Sequence, residues 1–475
     1  MTIQHQLRTT FAHILLCVII VMHTPVVANL TTLNNQDPIP MFEARDPQLY
    51  LLDREKAFLR GEPWANCMHD HASLSISVFG QSANNGKRIN GRGFVVNDED
   101  NIIDGVDTSL VPLGDIINRT SLLALFYGPT PEGQTVTPTL QAARDALFPG
   151  QTGVLNDPRF IDENQNFGFD SIEMQYRTKG LRLLLQALFH ADFGLSVQTT
   201  VASKKQTLQR VVRRTLDSVT NFEGLNGTEV NDVLSEELNT ILDDLDLKLT
   251  PDCPLTSIEE VRFNVFGRHI FELNECECDW PYLLIIPFGE VSGSISPGRK
   301  RDVNTVYDVT FGNNGHPALG FSLGIAFDFV ETIELSGEVG YTYFFSRRVE
   351  NLPVPTSEFQ SNIFPFRTDV HVKPGTNWHF AGKIAAHHFV DKFSMFFQYF
   401  MMEHKEDTIT LVTPNEVFLP DALAETTCFK VKVANIGITY DISQNTSLGF
   451  LWQAPLSQRN AYRSSTVLFS FNARF

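Results

Sequence analysis

The sequence predicts an all-β fold: an antiparallel transmembrane β-barrel of about 12–14 strands, with short turns at one end, long loops at the other and a small helical insertion. Three observations predict it. Segments of about ten residues alternate apolar with small or polar side chains. They come in pairs joined by very short links, and long polar stretches separate the pairs. No stretch after residue 28 approaches eighteen continuous apolar residues, so a helical membrane span is not expected.

The N-terminus reads as an export signal over residues 1–28. Arg8 and His5 precede the apolar run "FAHILLCVIIVM" (11–22), and "PVVA" (25–28) offers small residues for cleavage after Ala28. Twelve helical residues reach roughly 18 Å, short of a bilayer core, which argues against an uncleaved anchor. Residues 29–70 read as an N-terminal periplasmic or plug segment, and 71–475 as the barrel. Within 29–70, "PQLYLLDREKAFLRG" (47–61) has helical spacing.

Eleven strands are expected over 170–189, 193–203, 260–272, 281–293, 318–329, 333–346, 376–389, 393–403, 428–441, 445–455 and 465–475. The clearest is "ALGFSLGIAFDF" (318–329), with Leu319, Phe321, Leu323, Ile325, Phe327 and Phe329 on one face. "FKVKVANIGITY" (429–440) alternates with one phase slip near Ala434, which predicts a bulge. Closure with both termini at one end requires an even count. One strand from 71–170 gives twelve and three give fourteen; "ASLSISVFG" (72–80), "GRGFVV" (91–96) and "SLLALFYG" (121–128) read as these first strands or as parts of a plug inside the barrel. Residues 204–258 read as a partly helical acidic insertion, its helices at 207–219 and 230–249.

The physics requires this combination. In hydrocarbon every backbone N–H and C=O must be paired, so only helices or closed sheets span. A soluble sandwich also alternates, but it does not require such unequal loops or aromatic residues near strand ends.

The final strand carries a further pattern. Val467, Phe469, Phe471, Ala473 and Phe475 occupy alternate positions up to the last residue. With the N-terminal signal and the hairpins over 170–475, the chain resembles the bacterial outer-membrane β-barrel, porin-like class. No particular family within it is identified. The resemblance implies short periplasmic turns, long outer loops, an outer-membrane location after export, and recognition of the final strand by the barrel-assembly machinery.

Net charge is -18, which excludes a nucleic-acid partner on electrostatic grounds. The alternation predicts charges facing the lumen: Arg182, Arg262, Arg268, Lys383, Lys430 and Lys432 on the basic side, and Asp328, Glu334 and Glu338 on the acidic side. Opposed rows of charge select ions in a pore; in a packed lumen they pair as structure. Acidic residues of the insertion, Asp217 to Asp246, offer a place for divalent cations or a solvated helical face. "CMHDH" (67–71) lacks further spaced ligands, and "CEC" (276–278) is too tight for a metal or redox pair. No catalytic grouping and no cofactor site emerges. The expected function is passive transport of small hydrophilic solutes; the alternative is a structural or adhesive surface barrel that binds through its outer loops.

Overall fold

The computed structural model describes residues 72–87, 110–116, 125, 128–138, 141, 169–190, 193–214, 238–273, 282–329, 333–358, 360, 362–390, 392–443 and 445–474. The expected export signal, the 29–70 segment, the helix at 47–61, the "CMHDH" and "CEC" clusters and Phe475 lie outside them.

Twelve antiparallel strands close on themselves. They are β1 (Ala72–Ala83), β2 (Phe169–His190), β3 (Phe193–Arg214), β4 (Leu255–Arg268), β5 (Leu283–Ile295), β6 (Ala318–Phe329), β7 (Ile333–Phe344), β8 (Asn377–Val390), β9 (Phe393–His404), β10 (Phe429–Ser443), β11 (Thr446–Arg459) and β12 (Ser465–Arg474). Each pairs with its sequence neighbours, and β12 pairs with β1 from Ser73↔Arg474 to Ser82↔Ser465. A single early strand therefore completes the sheet, and twelve is the count.

The outer face carries a broad apolar band. Leu181, Leu183 and Leu185 of β2, Phe321, Leu323 and Ile325 of β6, Phe393, Met395 and Phe397 of β9 and Phe469 and Phe471 of β12 are all exposed. Each such side chain left in water forgoes roughly 1.5–3 kcal/mol of burial. A closed sheet has no second apolar layer to cover that face, so a soluble sandwich is excluded. Among the described residues no helix is long and apolar enough to cross a membrane; the strands do so instead. Val467 and Ala473 share the outward side of β12 with Phe469 and Phe471, whereas Thr466, Leu468 and Asn472 point inward and are buried.

Inside, five aromatic rings lie across glycines on the neighbouring strand. Phe79 meets Gly180, Phe266 meets Gly194, Phe288 meets Gly324, His379 meets Gly340 and Phe396 meets Gly437, each pair directly in register. A Cβ at any of these glycines would collide with the ring. The absent side chain lets a large inward ring lie flat on the curved wall.

The described parts of the long connections pack into a cap at one end of the barrel. One part packs Leu113, Leu242, Leu245, Val309 and Phe311 onto the inward faces of β1–β3, at Phe79, Ile172, Tyr176 and Ala202. A second part is a three-stranded sheet of 347–353, 367–373 and 408–411 with its own core of Val349, Val354, Val370, Val372 and Ile409.

Two expectations change. Residues 204–214 are strand, not a helical insertion: β3 pairs with β2 out to Phe169↔Arg214, and β4 begins at Leu255. Thr207, Val211 and Val212 favour the extended chain, and Leu208 and Val211 are spaced to fit either period. Of the expected helix at 230–249, Leu238–Asp244 is helical and the turns that follow end it before 249; residues 215–237 lie outside the described residues. The phase slip near Ala434 is also absent. β10 stays in unbroken register with β9 from His404↔Phe429 to Phe393↔Tyr440, and the irregularity lies where β10 meets β11, between Lys432 and Val433.

Candidate functional site: the inner wall

The missing slip decides where the charges go. On β10, Ile438, Tyr440 and Ile442 face outward. Without a slip Lys430 and Lys432 share that side. Lys430 Nζ lies 2.9 Å from the Glu403 carboxylate on β9, and Lys405 reaches the same carboxylate at 2.7 Å. Lys430 and Lys432 therefore stand on the outer face, near the long-loop end, and are not lumen residues. The inward positions are Phe429, Val431 and Val433, buried against Phe400 and Met402 beneath the cap. Apolar residues occupy both faces of this strand, which made a slip the simpler reading.

The other expected residues face inward. Glu334 on β7 and Lys383 on β8 form an ion pair at 2.6 Å, and His387 Nε2 lies 3.3 Å from the second Glu334 oxygen. His379 meets Glu338 at 3.2 Å. Asp328 on β6 stands directly across from Glu334 and is buried. Arg262 pairs with Glu260 on its own strand at 2.7 Å. Arg268 is buried on β4, and the Arg182 guanidinium lies over the Phe79 ring. Basic groups therefore gather on β2–β4 and most acidic groups on β5–β7, with Glu290 on β5 buried between them.

The sequence reading missed several partners. His379 and His387 follow the same parity as Lys383 and were readable from it. Lys204, Glu259 and Glu260 fell in or beside the segment taken for an insertion. Lys204 and Glu259 form a buried ion pair at 2.8 Å. This pair also fastens the 296–317 connection inside the mouth: the Lys204 ammonium donates to the Thr310 carbonyl at 2.7 Å and the Gly312 N–H donates to Glu259 at 2.5 Å. Within the connection, Arg299 grips both oxygens of Asp308 at 2.9 and 2.8 Å. His316 is buried there with one ring nitrogen 3.0 Å from the Phe345 carbonyl. Burial, then the charges of Arg347 and Lys300, hold its pKa down at about 3, so it stays neutral.

The remaining described wall is neutral from the short-turn end to the middle of the barrel. Asn435 Nδ2 donates to Gln398 Oε1 at 2.9 Å, Asn472 Nδ2 to Ser447 at 3.3 Å and Ser73 to Gln186 at 3.1 Å. Ser75 and Ser77 of β1 and Gln453 of β11 complete it.

No protein-family model matches the sequence, and no curated protein sequence is significantly similar to it. Solved structures with a similar arrangement include an outer membrane channel from Pseudomonas putida F1, at 8% identity over 86% of this chain and 97% of that one, TM-score 0.43. The transport unit of the autotransporter AIDA-I from Escherichia coli is 9% identical over 86% of this chain and 91% of that one, TM-score 0.33. The NanC porin is 8% identical over 63% of this chain and 94% of that one, TM-score 0.29. The barrel assignment rests on the strand register, which is independent of these likenesses.

Proposed function

We propose that the protein is a channel of the bacterial outer membrane, passing small hydrophilic solutes passively through its lumen. One observation carries the reading: a closed twelve-stranded sheet with an apolar exterior and a polar, ion-paired interior. Such a wall supplies fixed charge along a path through hydrocarbon. Arg182, Arg262, Arg268 and Lys383, set against Asp328, Glu334 and Glu338, are its selectivity residues. The chain reaches the membrane by export; the alternating run Val467, Phe469, Phe471, Ala473 and Phe475 is the sequence feature the assembly machinery recognises, and the strand Ser465–Arg474 closes the sheet onto β1.

The test is conductance of the purified protein in planar bilayers. Stepwise currents with an ion preference support the channel. A barrel that inserts, shown by heat-modifiable gel mobility, yet passes no current would overturn it.

A second reading draws on the cap. Its three-stranded lobe, with a core of its own, is more structure than a pore entrance requires. A surface barrel acting through its loops would pass no current and would lose partner binding when 347–373 is excised. The acidic positions of the outer connections remain candidate contacts for divalent cations in that reading.

A further inference from the structure

On β2 and β3, above the apolar stripe, the outward face turns abruptly basic. Arg177 and Lys205 are direct cross-strand partners, and Lys179 stands two positions below Arg177. All three point outward and are exposed. Below them on the same face run Leu181, Leu183 and Leu185 of β2 and Leu195, Val197 and Val201 of β3.

Two cations directly opposite each other on one face of a sheet repel. Among the described residues none of the three makes an ion pair, and the next outward carboxylate on β2, Glu173, is four positions farther out and opposite Arg210. The basic group at the rim of β9–β10 differs: there Glu403 sits between Lys405 and Lys430. Among the described residues the β2–β3 group has no internal counter-ion.

The height of the group on the barrel bears on what it meets. Phe193 starts β3 at the turn; Ser203, the partner of Lys179, is ten positions on and Lys205 twelve. At about 3.3 Å of rise per residue and a strand tilt of roughly 40°, these stand about 25 and 30 Å above the turn. An outward apolar band is about 25 Å tall. The three cations therefore meet the bilayer where headgroup phosphates lie, and lysine and arginine stems extend readily to that level.

We propose that Arg177, Lys179 and Lys205 form a binding site for the phosphate group of an anionic lipid in the outer leaflet. The guanidinium offers two parallel donors to phosphate oxygens and the two ammonium groups close the site from either side. The occupant converts a repulsive cross-strand pair into a bridged one and fixes the barrel's height. The proposal rests on the reading of the barrel as membrane-spanning.

The test uses the full-length protein in detergent micelles doped with equal phosphatidylglycerol and phosphatidylcholine, with bound lipid read by native mass spectrometry. The wild type is expected to retain phosphatidylglycerol over phosphatidylcholine, and the triple variant R177Q/K179Q/K205Q to lose that preference on the order of tenfold, since each cation near an anionic surface contributes measurably. A K405Q/K430Q variant is expected to keep it. Equal lipid retention by the wild type and the triple variant, with both heat-modifiable on a gel, would overturn the lipid site while leaving the barrel intact. Loss of heat-modifiable mobility in the wild type would instead indict the membrane reading. Inorganic phosphate is the control anion: if it displaces the lipid fully at equal concentration, the site recognises free phosphate and the lipid assignment fails.

Discussion

The two halves of the inner wall are built from different chemistry. From β2 to β8 the inward positions carry ions: Arg182, Lys204, Glu259, Arg262, Arg268, Glu290, Asp328, Glu334 and Lys383. From the short-turn end to the middle of β9–β12 and β1 they carry amides and hydroxyls, such as Gln398, Asn435, Ser447, Gln453 and Ser75. A hydrogen-bonded amide wall holds shape without a field, whereas in the proposed channel the ionic wall makes a field that a passing charge would meet. Selectivity should therefore respond to substitutions on one side of the barrel and hardly at all to those on the other.

The largest effect is expected at the ionic wall. Glu334→Gln leaves Lys383 buried without its counter-charge, and breaking such a pair costs about 3–5 kcal/mol. The heat-modifiable band should convert to the unfolded position at a lower temperature, and the surviving channels should shift toward anion preference in reversal potential. An unchanged melting position would show that the pair contributes nothing to the wall.

Release of the mouth strap comes next. Lys204→Met removes the ion pair to Glu259 and the contact to the Thr310 carbonyl. The cost is about 1–3 kcal/mol per orphaned buried group, felt at the strap. Limited proteolysis should cut within 296–317 while β3 and β4 stay protected. Equal protease resistance would remove the strap role.

A pH effect that is absent at neutral pH and local to the strap belongs to His316. Its folded pKa of about 3 lies below the ordinary 6.5, so the unfolded strap binds a proton that the folded one does not. The neutral state is fully compatible with folding above 6.5; as pH falls from 6.5 toward 3 the strap loses about 1.4 kcal/mol per unit. Hydrogen exchange of 310–317 should accelerate over that window, and His316→Gln should flatten the dependence. A flat wild-type profile would contradict it.

The smallest effect is expected at the amide wall. Replacing both Gln398 and Asn435 with Leu removes a hydrogen-bonded pair together, which is nearly neutral, and should leave the reversal potential where it was. A shift as large as that of Glu334→Gln would erase the distinction between the two halves.

Most of the sheet was legible where lipid dictates the residues. In β6, β7 and β12 every second side chain must be apolar, so Phe321 to Phe329 or Val467 to Phe471 announce both strand and face. Beyond the bilayer the rule lapses. The outer part of β3 carries Lys205, Gln209 and Arg210 outward, so no apolar alternation marks that run as a strand. β10 failed for the opposite reason: it is apolar outward below and apolar inward above, where Val431 and Val433 meet the cap. Only the packing of distant loops tells those two faces apart, and with them the true side of Lys430 and Lys432.

The central claim is that the ionic inner wall is the conducting path. Reversal potential in a salt gradient across a planar bilayer tests it most directly, comparing the wild type with Glu334→Gln and with the double variant Lys430→Gln, Lys432→Gln. The account predicts stepwise currents whose reversal potential moves with Glu334 and stays put when the two outward lysines are neutralised. Absence of current from inserted barrels, or a reversal potential that follows Lys430 and Lys432, would contradict it.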